Sequence, residues 1–132
     1  MGSISNGVAI IDIMNKIGFD VSILGNHEFD YGIEQLSTLE NKIKSRYISS
    51  NFCYKKNKTS IYAPYKIVEK GGKKIGFVGV LTPLTFSKTY LSSIKDSNGE
   101  AIYDFLSDND GQELYDRVQE NVNKVREEGL IM

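Results

Sequence analysis

Apolar positions in the first fifty residues alternate between helical and strand-like spacing. Val8, Ile11, Met14 and Ile17, with Ile10 beside them, recur along one helix face, and Gly18 follows as a C-cap glycine. Ser5 or Asn6 is placed to cap the start. Asp20 to Leu24 then reads as a short buried strand that ends at Gly25. After a polar loop from Asn26 to Tyr31, Ile33, Leu36, Leu39 and Ile43 define an amphipathic helix running from Gly32 to Lys44. Arg46 to Ser50 forms a second short strand, with Tyr47 and Ile48 supplying β-propensity. This alternation predicts an α/β layered fold of parallel strands covered by helices. Ligand loops in such folds lie at the carboxyl ends of strands, where Asn26 and His27 follow the first strand and Asn51 the second.

The pattern changes in the middle of the chain. Tyr62 to Glu69 and Lys74 to Leu81 are β-rich runs around Lys70-Gly71-Gly72-Lys73, a β-hairpin signal, and Thr82-Pro83 ends the second run. Phe86 to Asp110 is polar and weakly periodic, which predicts a long excursion. A last amphipathic helix spans Gln112 to Glu128 with Leu114, Val118, Val122 and Val125 inward, and Gly129 to Met132 reads as the start of another strand.

Composition fits one small globular domain over residues 1–132, since 40% of the residues are apolar and 25% charged. The net charge is −1 and no basic stripe is present, so a nucleic acid polymer is not the expected partner. No apolar run is long enough to span a bilayer. Met1 to Gly7 lacks the basic start and apolar core of a signal peptide, which fits either a cytosolic protein or a start other than the natural one. The single Cys53 excludes an intramolecular disulfide and a cysteine-based zinc site; it reads as a half-buried strand residue.

The chemistry concentrates in Gly25-Asn26-His27-Glu28-Phe29-Asp30, which holds the only histidine of the chain. An Asn oxygen is a neutral ligand suited to a divalent metal already rich in carboxylates. The neighbouring His can hydrogen-bond a phosphate oxygen, and a carboxylate three residues on, Asp30, can reach back to fix its tautomer. Two other motifs fail. Asp108-Asn109-Asp110-Gly111 would put Leu106 and Arg117 where a calcium loop needs carboxylates, so it reads as a turn before the last helix. Gly71-Gly72-Lys73-Lys74 lacks the spacing and the following helix of a phosphate loop.

The block Gly25 to Gly32 resembles the Gly-Asn-His-Glu block of calcineurin-like metallophosphoesterases, in the longer form of the 5′-nucleotidases. Met14-Asn15-Lys16-Ile17-Gly18-Phe19-Asp20, Ser49-Ser50-Asn51, Gly72 to Gly79 and Thr82-Pro83-Leu84-Thr85 resemble further family segments in register from Gly7 to Thr85, although Leu84 stands where an acidic residue is common. The resemblance implies a partial layered metallophosphoesterase fold and hydrolysis of nucleoside 5′-monophosphates. Nucleotide-sugar diphosphatase, 2′,3′-cyclic-nucleotide phosphodiesterase or a non-catalytic α/β binding module are the alternatives. Asn26 would ligate the second of two divalent ions (zinc, manganese or similar), His27 would stabilise the transition state or assist the leaving group, and Asp30 would orient His27. Asn51 would contact the site or hold a turn. The family's Asp-x-His, Gly-Asp and Gly-His-x-His segments have no counterpart among these residues, so the chain alone is expected neither to hold two metals nor to hydrolyse nucleotides. An exposed sheet edge, open to pairing, is expected as well. Family members are often exported.

Overall fold

The computed structural model describes residues 5–85 and 94–129. In chain order these form α1 (Val8–Ile17), β1 (Ser22–Ile23), a 3-10 turn (Asn26–Phe29), α2 (Gly32–Lys42), β2 (Tyr47–Ile48), β3 (Cys53–Tyr54), β4 (Tyr65–Lys70), β5 (Lys73–Val78), β6 (Tyr103–Asp104), a second 3-10 turn (Asn109–Gly111) and α3 (Gln112–Glu127). The α/β class is as the sequence pattern predicts. Among the described residues parallel pairing, however, is confined to β1–β2, with Ser22 opposite Tyr47 and Ile23 opposite Ile48, and a bridge from Ile48 to Ala63. The other two strand pairs, β3–β6 and β4–β5, are antiparallel. β1 meets β2 on one side and no strand among the described residues on the other.

Helix α1 ends at Gly18, whose left-handed backbone returns its N–H to the Met14 carbonyl. Gly7 occupies the N-cap position, yet the Ser5 hydroxyl accepts from the Ala9 N–H at 3.1 Å and so does the capping expected near there. Ile11 is buried, whereas Ile17 is 66% exposed despite its place in the helical period. The first strand is likewise shorter and more open than expected, with Ile23 47% exposed. In α2, Leu36 and Leu39 are buried, and Ile43, just past the helix, turns extended and inward. The Asn15 side chain joins the two helices: its Nδ2 donates to the Lys42 carbonyl and its Oδ1 accepts from the Lys44 N–H, both at 2.8 Å. The orphan end of α2 is thereby satisfied by a side chain of α1.

The hairpin β4–β5 turns through Gly71 and Gly72, both at positive φ. A two-residue turn of that hand matches the twist of its strands and is open to glycine at little cost. Beyond it, residues 86–93 lie outside the described part, as do residues 130–132, where the start of a further strand was expected. The expectation of a polar excursion up to Asp110 is overturned at its C-terminal part. Tyr103–Asp104 pairs with β3, and Ile94, Phe105 and Leu106 are fully buried. Short apolar clusters of this kind carry no periodicity, which hid them. In α3, Val125 and Asn121 are buried, while Leu114, Val118 and Val122 are half-buried. Cys53 is fully buried in β3, deeper than expected. Its thiol is pushed up by burial and by the Asp104 carboxylate.

The β3–β6 pair is tied to α3 by Lys58. Its ammonium donates to Asp104 Oδ2 at 2.5 Å and lies 3.2 Å from a Glu113 carboxylate oxygen. Burial alone would raise the Asp104 carboxyl, but Lys58 and the N–H groups of Leu106 and Phe105 outweigh it and hold the carboxyl below its ordinary value. Lys58 is correspondingly raised, first by its bond to Asp104. The depressed carboxyl gives stability that is present above the ordinary aspartate range and lost as pH falls through its folded value; the raised ammonium gives stability lost only as pH rises through its own. Lys58→Met is therefore expected to cost about 2 kcal/mol at neutral pH, because Asp104 is left buried without its partner. Urea titrations at several pH values check this, and the cost should shrink below about pH 4.

Candidate active site

The 3-10 turn Asn26–Phe29 leaves the carboxyl end of β1, and its shape follows from three neighbouring side chains. Phe29 is fully buried and meets Phe52 edge-on at 5.1 Å and Phe105 at 5.5 Å between ring centres. Phe52 and Phe105 stack on each other at 5.2 Å. This aromatic triad fixes the turn to the core. Glu28 folds back so that its carboxylate accepts from the Gly25 N–H at 2.7 Å, tying down the entry to the turn. A Cβ at Gly25 would sit 2.9 Å from that carboxylate oxygen, so any larger residue there would make the Glu28 carboxylate shift.

With Phe29 inward, His27 is held outward. Its Nδ1 lies 2.9 Å from Asp30 Oδ2, and the His27 side chain is 81% exposed. The backbone repeats the link, since the Asp30 N–H donates to the His27 carbonyl. A carboxylate on Nδ1 selects the tautomer with its proton there and leaves Nε2 as the free nitrogen. Nε2 then accepts a proton when the ring is neutral and donates one when it is charged. His27 and Asp30 are thus brought together, and Asn26, half-buried, begins the same turn. A cavity of about 320 Å³ adjoins them, lined by His27, Glu28 and Asp30 on one side and by residues of α1 with Tyr31, Leu39 and Tyr47 on the other. A larger hollow of about 850 Å³ lies between Tyr54–Asn57 and Glu100–Ile102 and includes no residue of the turn.

Asn51 is placed differently. It is fully buried; its Nδ2 donates to the carbonyls of Leu81 at 2.7 Å and Phe105 at 2.9 Å, and its Oδ1 accepts from the Leu81 N–H at 2.8 Å. Every polar atom of the amide is engaged with backbone, so of the two readings of Asn51 the structural one is realised. Phe29 and Asn15 stand in the sequence motifs, but their roles as core anchor and helix-end clasp emerge only in the structure. Their signals were an aromatic inside a polar loop and an Asn just before a helix C-terminus.

The donor set does not by itself fit a metal at Asn26. His27 Nδ1 is committed to Asp30, and no third carboxylate, thiol or imidazole gathers there among the described residues. The cluster with metal-like spacing is elsewhere: Asp104, Asp108 and Glu113 bring carboxylate oxygens within 4.8 Å of one another. The Lys58 ammonium already occupies two of those carboxylates, so a cation entering there would compete with it.

No protein-family model matches the chain. Among proteins of known function, the 5′-nucleotidase of Rattus norvegicus is 34% identical over 82 residues, which is 58% of this chain and 14% of that protein. The 2′,3′-cyclic-nucleotide 2′-phosphodiesterase/3′-nucleotidase of Haemophilus influenzae is 34% identical over 82 residues, 55% of this chain and 12% of its own length. Among solved structures, the 5′-nucleotidase precursor of Thermus thermophilus superposes with a TM-score of 0.71 at 26% identity, over 95% of this chain and 22% of that one. Over these residues the chain is similar to phosphoesterases of the 5′-nucleotidase type. A calcineurin-like phosphoesterase of Bacillus subtilis shares the fold, with a TM-score of 0.70 at 24% identity over 97% of this chain and 38% of its own. The chain thus spans about a seventh of the length of the first of these relatives. No helix among its described residues is long and apolar enough to cross a membrane.

Proposed function

We propose that this chain is the central part of a metal-dependent phosphoesterase catalytic domain acting on nucleoside 5′-monophosphates. The single observation that carries the proposal is the His27–Asp30 pair, 2.9 Å apart, on a glycine-bracketed turn at the carboxyl end of a parallel strand. The identity to nucleotidases over more than half the chain supports the substrate class. In this reading His27 Nε2 meets a phosphoryl or leaving-group oxygen, Asp30 orients the ring, and Asn26 offers a neutral oxygen to a divalent ion. Zinc or manganese ions would supply an activated water and clamp the phosphoryl oxygens, and the ligands completing their site are expected from outside this segment. The match to a cyclic-nucleotide phosphodiesterase favours one alternative, a phosphodiester substrate for the same turn. Pairing through the free edge of β1 belongs to the same proposal, and sedimentation at increasing concentration tests it by the presence or absence of a dimer.

Because Asn26 is the one metal donor the turn provides in this reading, the chain alone is expected to be inactive. Release of phosphate from AMP, measured with added manganese or zinc, should be indistinguishable from that of the His27→Ala variant. Metal-dependent turnover well above that variant would show that the segment carries a complete site.

A further inference from the structure

Glu28 is the one carboxylate of the Gly25–Asp30 run that has no part in the proposed chemistry. Its Oε2 accepts from the Gly25 N–H at 2.7 Å. This bond closes a short ring of chain, and the two residues enclosed between its ends are Asn26 and His27. In a capping box the third residue of a turn reaches back to the N-cap N–H, while the N-cap side chain reaches forward. A glycine at position 25 has no side chain to send forward, so Glu28 supplies the backward arm alone. A bond to an ionised acceptor is about twice as strong as a neutral one. The far side of the turn has its own anchors: Phe29 is buried against Phe52 and Phe105, and Asp30 grips His27 through side chain and backbone. The entry has none of these. Gly25 is extended (φ −103°, ψ 179°) and offers no side chain to pack, so its N–H is where the entry can be held.

We propose that Glu28 is a positioning residue, whose carboxylate fixes the chain at Gly25 and thereby the places of Asn26 and His27. It acts through those residues and does not touch the substrate. Their use in catalysis rests on the phosphoesterase reading above. Burial agrees with this division: Glu28 is half-buried and bonded to backbone, while the His27 side chain is 81% exposed. The same bond can be disturbed from its other end. The Cβ introduced by Gly25→Ala would stand 2.9 Å from Glu28 Oε2 and push the carboxylate back, lengthening the bond while its charge stays in place. Two changes that act through one bond are not additive, which separates this role from two unrelated ones.

The experiment follows the whole chain by NMR, reading solvent exchange of the Gly25 N–H and the N–H order parameters of Asn26 and His27. Glu28→Ala should speed that exchange about tenfold and lower both order parameters from about 0.85 to below about 0.6. Glu28→Gln keeps an acceptor oxygen at the same reach and should restore both. Gly25→Ala should act in the same direction but less, and should add nothing to Glu28→Ala. The ring signals of Phe29, Phe52 and Phe105 report on folding, and Gly25→Ala carries the test by itself where Glu28→Ala unfolds. In an enzyme with its metal site complete, Glu28→Ala should lower kcat for AMP about tenfold with KM within about twofold. Glu28→Gln should recover most of that loss. Unchanged exchange or order in Glu28→Ala, additive effects of the Gly25 and Glu28 changes, or an unchanged kcat would overturn the assignment. So would a Glu28→Gln variant that loses as much as Glu28→Ala, since the charge rather than the bond would then matter. Failure of the phosphoesterase reading looks different. A His27→Ala enzyme as fast as its parent would sink that reading, and the exchange data would still decide whether Glu28 holds the turn.

Discussion

Asn51→Ala is expected to destabilise the chain by about 3–4 kcal/mol, enough to unfold a segment of this size under mild denaturant. The expectation follows from what the amide holds. Its three hydrogen bonds cross-link residue 51 to Leu81, 30 positions on, and to Phe105, 54 positions on. Each such bond contributes about 1 kcal/mol net, and its loss leaves the buried backbone groups at Leu81 and Phe105 unpaired at a cost of about 1–3 kcal/mol apiece where water cannot reach them. Asn51→Asp should do as badly, because an ionised carboxylate cannot donate to the two carbonyls. Urea denaturation followed by circular dichroism measures both variants. A midpoint close to that of the parent chain would mean that the amide is not the clasp between these segments.

The second large effect belongs to His27. In an enzyme with its metal site complete, His27→Ala is expected to lower kcat about 1,000-fold, the usual size for removing a positioned acid or a transition-state donor. His27 is 81% exposed, so the same change should leave stability within about 0.5 kcal/mol. Asp30→Asn should act through the imidazole, lowering kcat by a smaller factor of about tenfold. Kinetics read in parallel with melting curves separate the catalytic effect from a structural one. Equal losses of activity and stability would contradict the placement of His27.

Much of this arrangement is legible in the sequence because it is local. Gly18 and Gly71-Gly72 end a helix and turn a hairpin by backbone conformation alone, and His27 reaches Asp30 within one turn of chain. The residues that misled are those whose partners are distant. Ile17 and Ile23 carry the right spacing for burial, but the described residues leave both largely exposed. Phe105 and Leu106 look like loop residues until β6 pairs with β3, some fifty positions earlier in the chain. Asn51 follows a strand, where ligands gather in α/β folds, and only the positions of Leu81 and Phe105 reveal that its amide is spent on backbone. Phe29 illustrates both sides. Its place in the Asn-His-Glu-Phe-Asp run is visible at once, whereas its role as the anchor that turns His27 outward requires Phe52 and Phe105.

The central proposal is that the turn from Gly25 to Gly32 serves a phosphoesterase site, with His27 acting on the phosphoryl group and Asn26 as one of its metal ligands. The most direct test grafts residues 7–85 in place of the matching segment of the Thermus thermophilus 5′-nucleotidase, the structure that superposes with a TM-score of 0.71. Manganese-dependent release of phosphate from AMP is then measured beside the same hybrid carrying His27→Ala. A folded hybrid that hydrolyses AMP and loses nearly all of that rate with His27 is the predicted result; a folded hybrid no faster than its His27→Ala form would contradict the claim.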